Sequence, residues 1–192
     1  LDSAVHLNKI SMETLTSLMA SAQKHKILAQ RAARLQARAM GKERLSPWDS
    51  RAPAPCLQAG VQEQVMTFEE AVELIEDAFS GIDKGMGEFV QKMAKDGWIE
   101  GTISSKKRPG AYCTSFSKSR TPRVYMTYSG STSDVITLAH ELGHALHFWV
   151  MRDLPECQRR YGMSLAETAS TLGETAVRNA LLEKSVGNAE KL

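Results

Sequence analysis

Two histidines four residues apart, with a glutamate directly after the first, lie in a run that is otherwise almost entirely apolar: His140-Glu141-Leu142-Gly143-His144, flanked by Val135, Ile136, Leu138, Ala139, Ala145, Leu146 and Trp149. From Thr132 to Met151 this run reads as a buried helix, opened by a Ser or Thr cap and ended before Pro155. Residues four apart project from one helical face, so both imidazoles can reach a single metal ion at about 2.0–2.1 Å while Glu141 flanks the open coordination position. Buried and unpaired, two imidazoles and a carboxylate would be costly. Metal coordination removes that cost, and it requires a second element packed against the helix to complete the ligand set.

A catalytic zinc site takes three protein ligands and keeps one position open. Glu167 is the expected third ligand, 23 residues after His144 in Leu165-Ala166-Glu167-Thr168-Ala169-Ser170-Thr171, a segment otherwise small and uncharged. Without the upstream motif it would read as a solvated helix residue. His147 is the rival, because it follows His144 by three and shares its face. The metzincin pattern would need Gly at 147 and His at 150, where this chain has His147 and Val150. His147 is therefore expected to stand in the cleft beside the ligands, with plain helix packing as the alternative. Glu174 lies two turns beyond Glu167 and can either hydrogen-bond a ligand imidazole, fixing its tautomer, or sit exposed. Gly110, Ala111, Tyr112 and Cys113 either form an edge strand that pairs with an extended peptide or belong to an ordinary core strand.

The rest of the chain predicts a mainly α fold with a small antiparallel sheet. Ser11 to Met40 is rich in helix formers and stops at Gly41, and three prolines between Ser46 and Pro55 make a loop and the one plausible internal boundary. We read 1–45 as an N-terminal helical segment and 46–192 as the catalytic core. A helix starts near Thr67, where Glu70 completes a capping box, and helical pattern resumes from Met86 to Ala94. Trp98 to Ile103 reads as extended. Ala111 to Phe116 and Arg123 to Tyr128 read as a hairpin turning through Ser117 to Pro122, and Ser164 to Lys184 as the last helix.

With 42% hydrophobic residues, 24% charged residues and a net charge of +2, the chain is globular in composition and gives no reason to expect a nucleic-acid partner. No apolar stretch approaches the roughly 20 residues of a membrane span, and no export signal is visible. Cys56, Cys113 and Cys157 lack CxxC spacing and fit idle thiols in a reducing cytoplasm. A start at Leu1 and a polar, helix-like end at Leu192 suggest a piece of a longer protein.

Four strings together resemble the oligoendopeptidase F branch of the M3 oligopeptidases, whose thimet-type enzymes form a more distant branch. They are Ser46-Pro47-Trp48-Asp49, Lys107-Arg108-Pro109-Gly110-Ala111-Tyr112-Cys113, Thr137 to His147, and Ala166-Glu167-Thr168-Ala169-Ser170-Thr171. The resemblance implies a zincin-like catalytic domain in which His140, His144 and Glu167 bind one zinc ion and Glu141 is the general base. It also implies cleavage of short unstructured peptides inside a deep channel, with zinc polarising the scissile carbonyl while Glu141 activates the water. Members of that family are several times longer and carry, C-terminal to the zinc helices, a Tyr- and His-containing segment that stabilises the transition state. Nothing here corresponds to it. Loss of such a stabiliser costs on the order of 10²–10³ in rate, so the alternative expectation is a truncated peptidase or helical interaction module that binds zinc without turnover.

Overall fold

The computed structural model describes residues 2–52, 65–108 and 110–184. Pro53, Pro55, Cys56, Pro109 and residues 185–192, on which parts of the proline-rich loop, the cysteine pattern, the Lys107 to Cys113 string and the end of the expected core fall, lie outside them. The described residues fall into two compact units, 2–52 and 65–184.

The first unit holds helices α1 (Asp2–Asn8) and α2 (Met12–Ala39) and a 3₁₀ turn over Pro47–Arg51. Ser11 caps α2 by accepting from the Thr14 N–H at 3.0 Å, and Gly41 ends it at φ +66°, a left-handed conformation that glycine adopts without strain. The proline-rich loop starts in an ordered way. Pro47 stands at the first position of the 3₁₀ turn, and the Asp49 carboxylate, 4% exposed, accepts from the Ser46 N–H at 2.7 Å and from Lys42 Nζ at 2.6 Å. Gln36 on α2 donates to the carbonyls of Asp49 and Ala52. This string is therefore a clasp on the end of α2 and not a free linker.

The second unit contains α3 (Phe68–Ser80), α4 (Lys84–Lys95), strands β1 (Ile99–Glu100), β2 (Tyr112–Phe116) and β3 (Thr121–Tyr125), α5 (Thr132–Val150), a 3₁₀ turn (Glu156–Gln158) and α6 (Met163–Lys184). The Thr67–Glu70 capping box opens α3 as expected, and a second box, Ser131 with Asp134, opens α5. The core joins both layers, with Ile75, Phe79, Val90, Met93, Leu138, Leu142 and Val177 from the helices and Val124 and Met126 from the sheet region, all essentially inaccessible to solvent.

The strand order is β1-β3-β2, so the sheet is mixed. β2 and β3 form the expected antiparallel hairpin, while the extended segment after Trp98 adds a parallel strand, Ile99 beside Val124. β3 begins at Thr121, two residues earlier than the sequence suggests, and so contains Pro122. The Val124 N–H points toward the β1 side, to the Trp98 carbonyl, and by strand alternation so does the Pro122 nitrogen. β1 pairs only with Val124 and Tyr125, so the proline's missing N–H removes no ladder bond there.

Candidate metal centre

Helices α5 and α6 cross with almost no space between their backbones. A Cβ at Gly143 would stand 2.4 Å from the Ala169 carbonyl oxygen and 2.7 Å from Ser170 Cα; one at Gly173 would stand 2.6 Å from the Ala139 carbonyl oxygen. Two glycines in helix interiors each cost about 1 kcal/mol in propensity, and here they set the interhelix spacing. That spacing carries Glu167 of α6 to the face of α5 that presents His140 and His144.

The three side chains converge. The Nε2 atoms of His140 and His144 are 3.1 Å apart, and Glu167 Oε2 lies 3.5 Å from the first and 3.4 Å from the second. Among the described residues this is the one cluster of His, Cys, Asp or Glu atoms able to hold a metal ion. Zinc bonds of about 2.0–2.1 Å in a tetrahedron place ligand atoms roughly 3.3 Å apart, and the observed triangle matches.

The hydrogen bonding around the rings agrees. His140 Nδ1 donates to Glu174 Oε1 at 2.7 Å, a bond that selects the tautomer whose lone pair lies on Nε2. Burial, opposed by Glu167 and reinforced by His140, holds the His144 pKa below its ordinary value, and that ring is also hydrogen-bonded to the Ala166 backbone. Imidazole nitrogens and a carboxylate oxygen at this separation repel one another unless a proton or a metal cation lies among them. The donor set thus fits a divalent metal on charge as well as on distance.

Glu141 is 6% exposed, and burial together with the nearby Glu167 pushes its pKa up, against the opposing pull of His140 and of a hydrogen bond accepted from the Cys113 backbone N–H. In the hairpin register Cys113 faces Val124, whose N–H points to β1, so the Cys113 N–H points outward from β2, the edge strand. The Glu141 carboxylate therefore stands at the open edge of the sheet. By the same alternation the main chain of Tyr112 faces β3, and it is Ala111 and Cys113 whose backbone groups turn outward. Gly110, at φ +111°, makes the bend that leads into this edge. Lys107 pins the preceding loop, donating to the carbonyls of Thr102 at 2.8 Å and Met126 at 2.6 Å.

His147 is absent from the metal-facing cluster. Its ring stacks on Tyr161, centroids 4.5 Å apart, and its buried Nδ1 has no hydrogen-bond partner among the described residues. Burial, then His144, holds its pKa down. The Cys113 thiol, pushed up to about 12 chiefly by burial, is inert as a nucleophile. Sequence reasoning did not single out Ser170, whose hydroxyl reaches Glu167, or Gly143 and Gly173 as spacers. The small residues around Glu167 were the available signal.

Residues 3–191 match the family model described as peptidase family M3. The chain is 26% identical over 183 residues to group B oligopeptidase PepB of Streptococcus agalactiae, covering 95% of this chain and 30% of that protein. It is 23% identical over 192 residues to oligopeptidase PepF of Bacillus subtilis, covering all of this chain and 28% of that one. A crystal structure described as a peptidase from Chlamydophila abortus superposes with a TM-score of 0.79 at 29% identity, over 98% of this chain and 31% of that one. Another, described as an oligoendopeptidase F from Bacillus anthracis, shares the fold with a TM-score of 0.77 at 19% identity, over 94% of this chain and 33% of that one. The chain thus spans about 30% of the length of these relatives.

Proposed function

The chain belongs to peptidase family M3, and from that premise we propose that it is the catalytic core of a zinc-dependent metalloendopeptidase acting on short oligopeptides. The observation that carries this reading is the convergence of His140, His144 and Glu167 within ligand distance of one another, with Glu141 beside them at an open strand edge. Zinc held by those three residues would polarise a carbonyl and acidify a water molecule. The chain's own groups do the rest. Glu141, buried and shifted upward, takes a proton from water and hands it to the leaving amine. Glu174 holds His140 in the tautomer that offers Nε2. The outward backbone groups of Ala111 and Cys113 offer an extended peptide main-chain hydrogen bonds that are indifferent to its side chains, and His147 with Tyr161 walls the cleft beyond His144.

The assignment of 46–192 as the core belongs to this proposal, as does the identity of the metal. Two imidazoles and a carboxylate also suit cobalt or manganese. No helix among the described residues is long and apolar enough to cross a membrane. A reducing, cytoplasmic setting is part of the same reading, supported by the unpaired, exposed Cys157.

Cleavage of a library of short quenched peptides, with and without zinc, tests the proposal. Zinc-dependent turnover that disappears in Glu141→Gln is expected; turnover indifferent to both would overturn it. A second reading, a zinc-binding module without turnover, is favoured by the share of the relatives' length that the chain spans. It predicts stoichiometric zinc and no cleavage of any peptide in the library.

A further inference from the structure

Ser170 is completely buried at the α5–α6 crossing, where its Cα is one of the atoms that Gly143 makes room for. A serine in the middle of a helix commonly returns its hydroxyl to a carbonyl three or four residues back, and Ser170 Oγ does lie 3.0 Å from the Glu167 carbonyl oxygen. The shorter contact is to a different atom: Oγ donates at 2.7 Å to Glu167 Oε2. That is the same carboxylate oxygen that faces both imidazoles, at 3.5 Å and 3.4 Å. The Glu167 side chain is 44% exposed, so packing alone does not fix its rotamer.

We propose that Ser170 is the positioning residue of the third ligand: its hydroxyl locks Glu167 so that Oε2 alone is presented to the metal. This rests on the zinc reading above. A free glutamate can swing both oxygens toward one cation, and a bidentate grip would occupy the position that a catalytic site keeps open. The Ser170 hydroxyl opposes this by fixing Oε2 as the oxygen beside the two imidazoles. It completes a division of labour in which Glu174 orients His140 and the Ala166 backbone orients His144. Each ligand then has its own support, two from α6 side chains and one from the α6 main chain.

The test uses Ser170→Ala, which deletes the hydroxyl without adding volume, and Ser170→Cys, close in shape with a weaker donor. Zinc affinity is read by competition with a chelator, and coordination by the visible spectrum of the cobalt(II)-loaded protein. Ser170→Ala is expected to bind zinc about 10–100-fold more weakly and to show the fainter cobalt bands of a five-coordinate ion, with Ser170→Cys between it and the parent. Melting of the metal-free proteins reports packing separately. Unchanged affinity and spectrum in Ser170→Ala, in a chain that binds one zinc and loses it in Glu167→Ala, would overturn the role of Ser170 while leaving the metal centre intact. No zinc binding by the parent protein would instead overturn the reading on which it rests.

Discussion

His140 and Glu174 show how much a single hydrogen bond decides at this centre. The carboxylate accepts from Nδ1, which forces the lone pair onto Nε2, and Arg178 in turn donates to the other Glu174 oxygen at 3.2 Å. The hydrogen bond to His140, followed by Arg178, keeps the Glu174 pKa low despite partial burial, so it accepts throughout the neutral range. Glu174→Gln should weaken zinc binding about 10–100-fold while circular dichroism stays unchanged; equal affinity would show that the tautomer needs no support. His144→Ala should lose the metal altogether. The ligand pair was legible because helical spacing alone puts residues 140 and 144 on one face. Ser170 was not, because its importance depends on which Glu167 oxygen it reaches, and no local pattern encodes that.

At the scale of elements, the crossing of α5 and α6 is what turns two sequence motifs into one site. Gly143→Ala would drive a methyl into the Ala169 carbonyl and should cost on the order of 1–3 kcal/mol by overpacking, together with a loss of zinc affinity larger than a surface Gly→Ala gives. Thermal melting of the apo and loaded forms checks both; an unchanged zinc affinity would mean that the spacing is not set there. The entry to α5 carries a pH signature. Burial raises the Asp134 pKa, but hydrogen bonds from the Ser129 hydroxyl and N–H and from Ser131 outweigh it, and the net shift is downward. A carboxylate whose folded pKa is depressed contributes stability above its unfolded value, roughly pH 4, and loses it as pH falls through the folded value. The melting temperature of the parent should therefore exceed that of Asp134→Asn at pH 6, and the gap should close below about pH 4; a gap independent of pH would contradict the charge contribution. The capping box at the start of α3, and the Ser or Thr cap at the start of α5, were visible in sequence because they are local. The parallel pairing of β1 was not, since a two-residue strand is too short to carry a periodicity, and its partner lies 25 positions on, at Val124.

For the whole molecule, the same physics explains why the helices were easy to place and the surroundings of the site were not. Helix formers, caps and glycine stops bounded α2, α5 and α6 to within a residue or two and placed the start of α3. The Ser46 to Asp49 string was expected to be a loop, yet its buried aspartate ties down the end of α2 through Lys42 and Gln36. Short-range pattern shows proline as a breaker and does not show what the breaker packs against. The chain spans about 30% of the length of its relatives, but every residue of the proposed centre lies between 110 and 178, within one compact unit. Metal binding should therefore need no residue outside this unit. Titration of zinc into the apo protein, beside Glu141→Gln and Glu167→Ala, tests this most directly. One tightly bound zinc per chain is expected in the parent and in Glu141→Gln, with binding lost or greatly weakened in Glu167→Ala; no zinc in the parent, or equal binding in Glu167→Ala, would contradict the three-ligand centre.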